Sequence, residues 1–426
     1  MGSDPFFRCC FRFLTAAMFF FPRALPAGIG LTLSMNSISD GNAFRNYENI
    51  PDLVFEPEWR LYISMQPQRH YIHLYYEGSA VRFRDYDDRR YQTHAFGAGH
   101  AWTFSEMPAV VAWNFRTSMR QNQPLYAYYD YRYMEGNIDI RLDPDSWWAS
   151  GAGVYAVRRL YDLLPSFDFN EWRLQLRQNF YLPSRTSLLA RVVLGREKFV
   201  NPAAQADEIE SVVTEPSESR PTGGGKGYQK GKKKSQHSGM SAALLAASAD
   251  SLNDPAVDVG MPGMEVLQWT ASLRAAQSLG DRTGIAVEGR YRKPLSGEGR
   301  TLRYQDSGYE EEDFLFDDPY SYQSREAAVE LSRLLPWSVQ FKTGFDYAEK
   351  KYLYDAGLPE GSEAPAQSRR DDRRVFWATL AKNISVGKWI RMMRLSLYAA
   401  CIVNRSNDAY FDYSANLFSL GWEVSL

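Results

Sequence analysis

A two-residue alternation between apolar and polar side chains recurs along most of the chain, and it limits the possible folds more than any other feature. Trp172, Leu174, Leu176, Phe180 and Leu182 share one parity, against Arg173, Gln175, Arg177 and Asn179 on the other. Leu267, Trp269, Ala271 and Leu273 stand against Gln268, Thr270, Ser272 and Arg274, and Ile285, Val287 and Tyr291 against Glu288, Arg290 and Arg292. Val339, Phe341, Phe345 and Tyr347 repeat the pattern against Gln340, Lys342 and Asp346. In extended backbone successive side chains point to opposite faces, so each run describes a strand that is apolar on one side only. Aromatic residues supply much of the apolar parity: 27 Tyr, 24 Phe and 11 Trp make 15% of the chain. With 44% hydrophobic and 23% charged residues the chain is neither disordered nor collagen-like. Past the N-terminal region no apolar run reaches the roughly 20 residues of a spanning helix, which excludes a polytopic helical membrane protein.

One-sided strands build either a soluble sandwich with its apolar face inward or a membrane barrel with its apolar face toward lipid. Three features favour the membrane barrel. Many runs extend for about 10 to 18 residues, whereas a globular strand has about 5 or 6 and a spanning strand about 9 to 11. Tight turns, such as Gln66-Pro67-Gln68, Asp143-Pro144-Asp145, Pro183-Ser184-Arg185 and Gly280-Asp281-Arg282, take turns with longer connections such as Ser39 to Asp52, Val200 to Pro262 and Leu295 to Gln323. The third feature is the C-terminus, where Phe418, Leu420, Trp422, Val424 and Leu426 alternate with Ser419, Gly421, Glu423 and Ser425 to the last residue. This run resembles the terminal strand of Gram-negative outer-membrane β-barrel proteins, which the barrel-assembly machinery reads. That class usually ends in Phe, and this chain ends in Leu426. The resemblance is to an architectural class and covers nearly all of the chain after the N-terminal segment. It implies an all-β fold, a transmembrane antiparallel up-and-down β-barrel in the bacterial outer membrane. Short turns would then be periplasmic, long loops would face outward, and lipid and lipopolysaccharide would surround the barrel.

Punctuation divides residues 28–426 into about 16 strands, an even number that places both termini on the periplasmic side. In Leu125–Leu142 the apolar parity changes, from Tyr129, Tyr131 and Tyr133 to Ile138, Ile140 and Leu142. A β-bulge near Glu135-Gly136 is the expected cause, since it would return one face to lipid. Trp147, Trp148, Trp337 and Trp389 beside tight turns, and Tyr161, Tyr352 and Tyr354 at the far strand ends, are candidates for interfacial aromatic girdles.

Residues 1–27 have the order of a cleavable export signal: Arg8 and Arg12, the apolar core Phe13 to Phe21, then a break and small residues up to Ala27. Removal of that segment leaves Cys401 alone, so no internal disulfide is expected. The stretch 200–262, with Gly223-Gly224-Gly225 and the run from Lys226 to Lys234, lacks the hydrophobic residues needed to order itself and is expected to be a flexible outer loop. Gly225-Lys226 is followed by Gly227, which breaks the phosphate-binding pattern, and neither a nucleotide nor a nucleic acid is the expected partner. An acidic stretch, Asp306, Glu310 to Asp313, Asp317 and Asp318, matches no calcium-loop spacing, so neither metal nor cofactor is expected.

If the apolar faces meet lipid, the opposite faces line a lumen. The residues expected there are Arg173, Arg177, Arg191, Arg274, Arg290, Arg292, Arg394 and Lys342, with Glu288, Glu330 and Asp346. About 16 strands leave room for an aqueous channel unless a loop fills it, and the Arg excess implies a mild anion preference. The expected function is a passive pore or uptake channel for small polar or charged solutes. Two alternatives stand beside it: a non-conducting barrel whose long loops bind a partner or lipopolysaccharide, and a rim hydrolase. Four of five histidines, His70, His73, His94 and His100, lie on neighbouring strands, but no activated nucleophile or His-Glu-x-x-His spacing accompanies them, so catalysis is not expected.

Overall fold

The computed structural model describes residues 27–145, 147–200, 265–297, 317–355, 368–387 and 390–426. The export segment, almost all of the Gly/Lys-rich stretch, Trp389 and the acidic residues up to Asp313 lie outside the described residues. Sixteen strands follow one another: β1 (Ala27–Asp40), β2 (Asp52–Met65), β3 (His70–Phe83), β4 (Tyr91–Thr103), β5 (Ala109–Asn122), β6 (Tyr131–Asp145), β7 (Trp148–Tyr161) and β8 (Phe169–Leu182). The second half continues with β9 (Thr186–Phe199), β10 (Glu265–Ser278), β11 (Thr283–Ser296), β12 (Tyr322–Leu334), β13 (Val339–Asp355), β14 (Ser368–Ile384), β15 (Met392–Ser406) and β16 (Tyr413–Ser425). Each pairs antiparallel with its sequence neighbours, and β1 pairs with β16, so the sheet closes into a barrel without an edge.

Connections at one end are short: 66–69, 104–108, 146–147, 183–185, 279–282, 335–338 and 385–391. Those at the other are 41–51, 84–90, 123–130, 162–168, 200–264, 297–321, 356–367 and 407–412. Left-handed backbone at Gln68, Arg185, Trp337 and Ser338 makes several of the short turns possible. The outward parity is apolar and open: Leu174, Leu176, Val192, Leu273, Val287, Phe376, Leu397 and Leu420 are all exposed. In water that surface would be costly. Against hydrocarbon it is the required one, because the closed ring pairs each strand with a neighbour on both sides.

The predicted bulge at Glu135-Gly136 is not there. β5 and β6 stay in continuous register through both residues, and the irregularity in β6 lies instead between Leu142 and Asp145. Tyr131 and Tyr133 therefore face inward with Glu135 and Asp139, while Met134, Ile138 and Ile140 face outward. The apolar parity switches because the loop end of the interior is itself a packed core. There Tyr126, Tyr128, Tyr129, Tyr161, Leu164 and Phe167 form one cluster, and Ala43, Phe44, Val54, Val81, Phe83 and Tyr91 another. Tyr161 and Tyr352, expected in a girdle, belong to this interior, with Tyr352 only 1% exposed. Arginines thread between the rings: Arg120 lies 3.8 Å over Tyr91, Arg159 4.5 Å over Tyr131, and Arg369 4.1 Å over Tyr352. Each contact of this kind contributes about 0.5 to 2 kcal/mol, more when water is excluded. At the opposite end Trp147 and Trp337 are exposed beside their turns, as a girdle requires.

Phe418, Leu420, Trp422 and Val424 lie on the outward face of β16, against Ala399, Leu397, Leu395 and Met393 of β15. Leu426 follows the strand, its backbone N–H donating to the Leu31 carbonyl at 2.9 Å. Cys401 is exposed on the outward face of β15, opposite Phe376.

Candidate functional site

The inner parity carries the charge. Arg173, Arg177, Arg191, Arg274, Arg290, Arg292, Arg394, Lys342, Glu288, Glu330 and Asp346 all stand on the parity opposite the exposed apolar residues of their strands. Most are paired. Arg177 donates to Asp139 at 2.6 Å, and Tyr155 holds the same carboxylate at 3.0 Å. Glu288 lies between Arg290 at 3.2 Å and Arg274 at 3.7 Å, and Arg290 also reaches Glu326 at 3.1 Å. Lys342 meets Glu330 at 3.1 Å, and Asp346 accepts from the Trp377 indole at 2.9 Å. Arg173 lies 3.3 Å from Glu171, and Arg292 donates to the Tyr322 hydroxyl at 2.6 Å. Arg394 stands opposite Glu423 in register.

Arg191 is the exception. It sits between Arg177 of β8 and Ser272 of β10, in the field of Arg173, Arg177 and Arg290, and makes no hydrogen bond or ion pair with a described residue. In a closed ring of sixteen strands β1 lies opposite β9. The inner parity of β2 and β16 carries Glu56, Glu58 and Glu423, with Ser34 of β1 donating to Glu58 at 3.1 Å. A basic wall on β8 to β11 thus faces an acidic wall on β16, β1 and β2.

These inward side chains keep wide access to water: Arg177 is 41% exposed, Arg274 43%, Arg290 42% and Lys342 49%. The loop end differs. The chain enters β12 through residues 317–321, which fold against the inner wall. The Tyr320 hydroxyl donates to Glu171 of β8 and occupies the place a side chain at Gly195 of β9 would fill. Gln268 of β10 donates to the Pro319 carbonyl at 2.6 Å, while Asp317 pairs with Lys350 and accepts from Tyr352 of β13 at 2.7 Å. Ser321, Asp318 and Tyr320 are buried there, with Glu171 and Glu197. Burial raises the Asp318 carboxyl to about 7, and the Glu171 carboxyl nearby adds to the rise. Burial acts the same way on Asp317, but Lys350 beside it outweighs burial and holds that carboxyl below its ordinary value.

Sequence reasoning missed Glu135, because the expected bulge turned its parity outward, and Asp139, whose inward parity that bulge left unchanged. It also missed the Arg60–Glu77–Arg116 group (2.6 and 3.5 Å) and the cluster of Glu171, Glu197 and Asp318. The first two were open to a stricter count of parity. The third had no local signal, since nothing in 317–321 marks it as turned inward. Asp317 and Asp318, weighed as cation ligands, serve instead as the partner of Lys350 and as the acceptor for the Tyr320 N–H at 3.0 Å. The histidines divide by parity. His70 and His100 meet at 2.9 Å on the outward face beside Trp102, near the short turns, whereas His73 faces inward against Gly99. No group of three metal-ligating side chains occurs among the described residues.

The architecture, a closed sixteen-strand antiparallel barrel with an apolar exterior, is that of Gram-negative outer-membrane barrel proteins. No protein-family model matches the chain, and no curated protein is similar to it. Among solved structures it is similar to OccAB1 of Acinetobacter baumannii, with a TM-score of 0.49 and 10% identity over 94% of this chain and 96% of that one. OprD of Pseudomonas aeruginosa gives 0.43 and 10% over 94% and 95%. CdiB of A. baumannii gives 0.48 and 10%, and there this chain, 93% covered, spans 60% of the other's length.

Proposed function

We propose that the barrel is a passive outer-membrane channel for small polar or charged solutes, with a preference for anions. The carrying observation is the exposure of Arg177, Arg274, Arg290 and Lys342, which point into a closed ring and still keep more than two-fifths of their surface in contact with solvent. Arginines at such a level are stable only in a water-filled bore. The residues act by radius and field, not by chemistry. The basic wall on β8 to β11 draws anions, and the acidic wall opposite orients solutes that carry both charges. A non-conducting barrel is the second reading, favoured by the packed loop end around 317–321. Single-channel recording of the refolded chain in a planar bilayer decides between them. Steady openings with a reversal potential on the anion side of a salt gradient are expected; a folded but silent barrel would replace the channel with the second reading.

A further inference from the structure

One hollow lies outside the barrel, on its outward surface. A groove of about 530 Å³ runs over the outward faces of β6 and β7 toward the loop end. Its origin is one row of the sheet, in which Phe115, Gly136, Ala156, Trp172 and Arg196 stand side by side on β5 to β9. Gly136 and Ala156 leave the floor low across two strands, and a side chain at Gly136 would meet nothing closer than 4.0 Å. Phe115 and Trp172, 46% and 58% exposed, stand as walls. The row below, Trp113, Ile138, Val154, Leu174 and Leu194, is wholly apolar, so the groove opens downward into the hydrocarbon-facing band.

Its upper end is cationic. The next row toward the loops holds Met134, Arg158, Asn170 and Lys198. Arg158 and Lys198 are exposed and hold no carboxylate of a described residue at ion-pair distance, although Lys198 stands opposite Glu265 in register and Arg158 lies in the field of Asp168. Arg196, by contrast, is held at 2.6 Å by both oxygens of Glu265. Three cations against one carboxylate leave an excess of two positive charges at the height where lipid headgroups begin.

The geometry points to a lipid site: the groove takes an acyl chain between Phe115 and Trp172 while Arg158 and Lys198 hold a phosphate of the same molecule. The occupant is a phosphorylated, acylated lipid of the outer leaflet, which in chemistry is the lipid A part of lipopolysaccharide. An aliphatic chain fits a floor of Gly and Ala between aromatic walls by shape, and two exposed cations at the interface supply the charge complement.

The test uses the full refolded chain in detergent, with bisphosphorylated, acylated lipid A as the probe and retention read by native mass spectrometry. Each cation near a membrane surface is worth roughly 1 kcal/mol, so Arg158→Ala with Lys198→Ala is expected to weaken retention on the order of thirtyfold. Gly136→Leu, which fills the groove and leaves both cations, is expected to weaken it as well, and Arg158→Lys with Lys198→Arg to preserve it. Heat-dependent gel mobility reports whether each variant is folded. The assignment is overturned if the folded double Ala variant retains lipid A like the parent, or if the deacylated, phosphorylated sugar or inorganic phosphate competes as well as the intact lipid.

Discussion

Among the inward arginines, pairing separates those that set local structure from those that act at a distance. Arg177 shares Asp139 with Tyr155, and Arg290 shares Glu288 with Arg274, so much of their field is cancelled within a few ångströms. Arg191 has no such partner and lies among cations. In the channel reading it is the main determinant of ion preference. Arg191→Gln is expected to move the reversal potential toward cations by more than Arg177→Gln with Asp139→Asn does, because the second change removes a cation together with its partner and leaves the net charge unaltered. Equal shifts for the two would show that pairing does not govern the field. That Arg191 faces inward follows from counting positions in its strand. That it is unpaired does not, since pairing depends on neighbours brought together across β8 and β10, which are far apart in the chain.

Residues 317–321 are the element through which a change of pH would act on the interior in the channel reading. The segment is held by Tyr320 on Glu171, by Gln268 on Pro319 and by Asp317 on Lys350, and Asp318 is buried against Glu197 with Arg292 in its field. With its carboxyl raised from 3.8 to about 7, Asp318 favours the seated segment when protonated. That contribution is complete below about pH 4 and is lost as pH rises toward 7, where ionisation would leave a buried charge beside another carboxyl. In the channel reading, conductance is therefore expected to rise between about pH 4 and 7, the window over which the seated segment loses that contribution. Asp318→Asn keeps an acceptor for the Tyr320 N–H and removes the titration, so its conductance should be flat over the same range. A pH response unchanged in that variant would remove the segment from the explanation. A second test is steric. Gly195→Val places carbon where the Tyr320 hydroxyl lies, 2.1 Å from a Cβ at that position. It should displace the segment and give the high-pH conductance at pH 5. None of this was legible in the sequence, where Asp317 and Asp318 read as the tail of an acidic loop.

For the whole barrel, alternation, even strand number and the exchange of short and long connections were legible because each repeats a local rule sixteen times. A rule repeated that often survives single errors: the misplaced bulge in β6 changed the facing of Tyr131 and Tyr133 without altering the count. What the period could not supply was the reversal of polarity near the loops, where inward positions turn apolar and outward ones take Arg132, Arg158 and Lys198. The same two-faced logic gives a test of the membrane assignment. Leu420 faces outward on the closing strand, between Leu397 of β15 and Ser37 of β1, and Ser419 beside it faces inward between Tyr398 and Ile38. Leu420→Arg places a charge against hydrocarbon and should cost about 2 to 4 kcal/mol if it sits near the bilayer midplane. In the channel reading Ser419→Arg projects into a water-filled interior and should cost less than about 1 kcal/mol. Denaturant unfolding in phospholipid vesicles measures both. A soluble barrel would reverse the order, since Leu420→Arg would then meet water and Ser419→Arg a dry core, so the sign of the difference tests the architecture independently of any conductance.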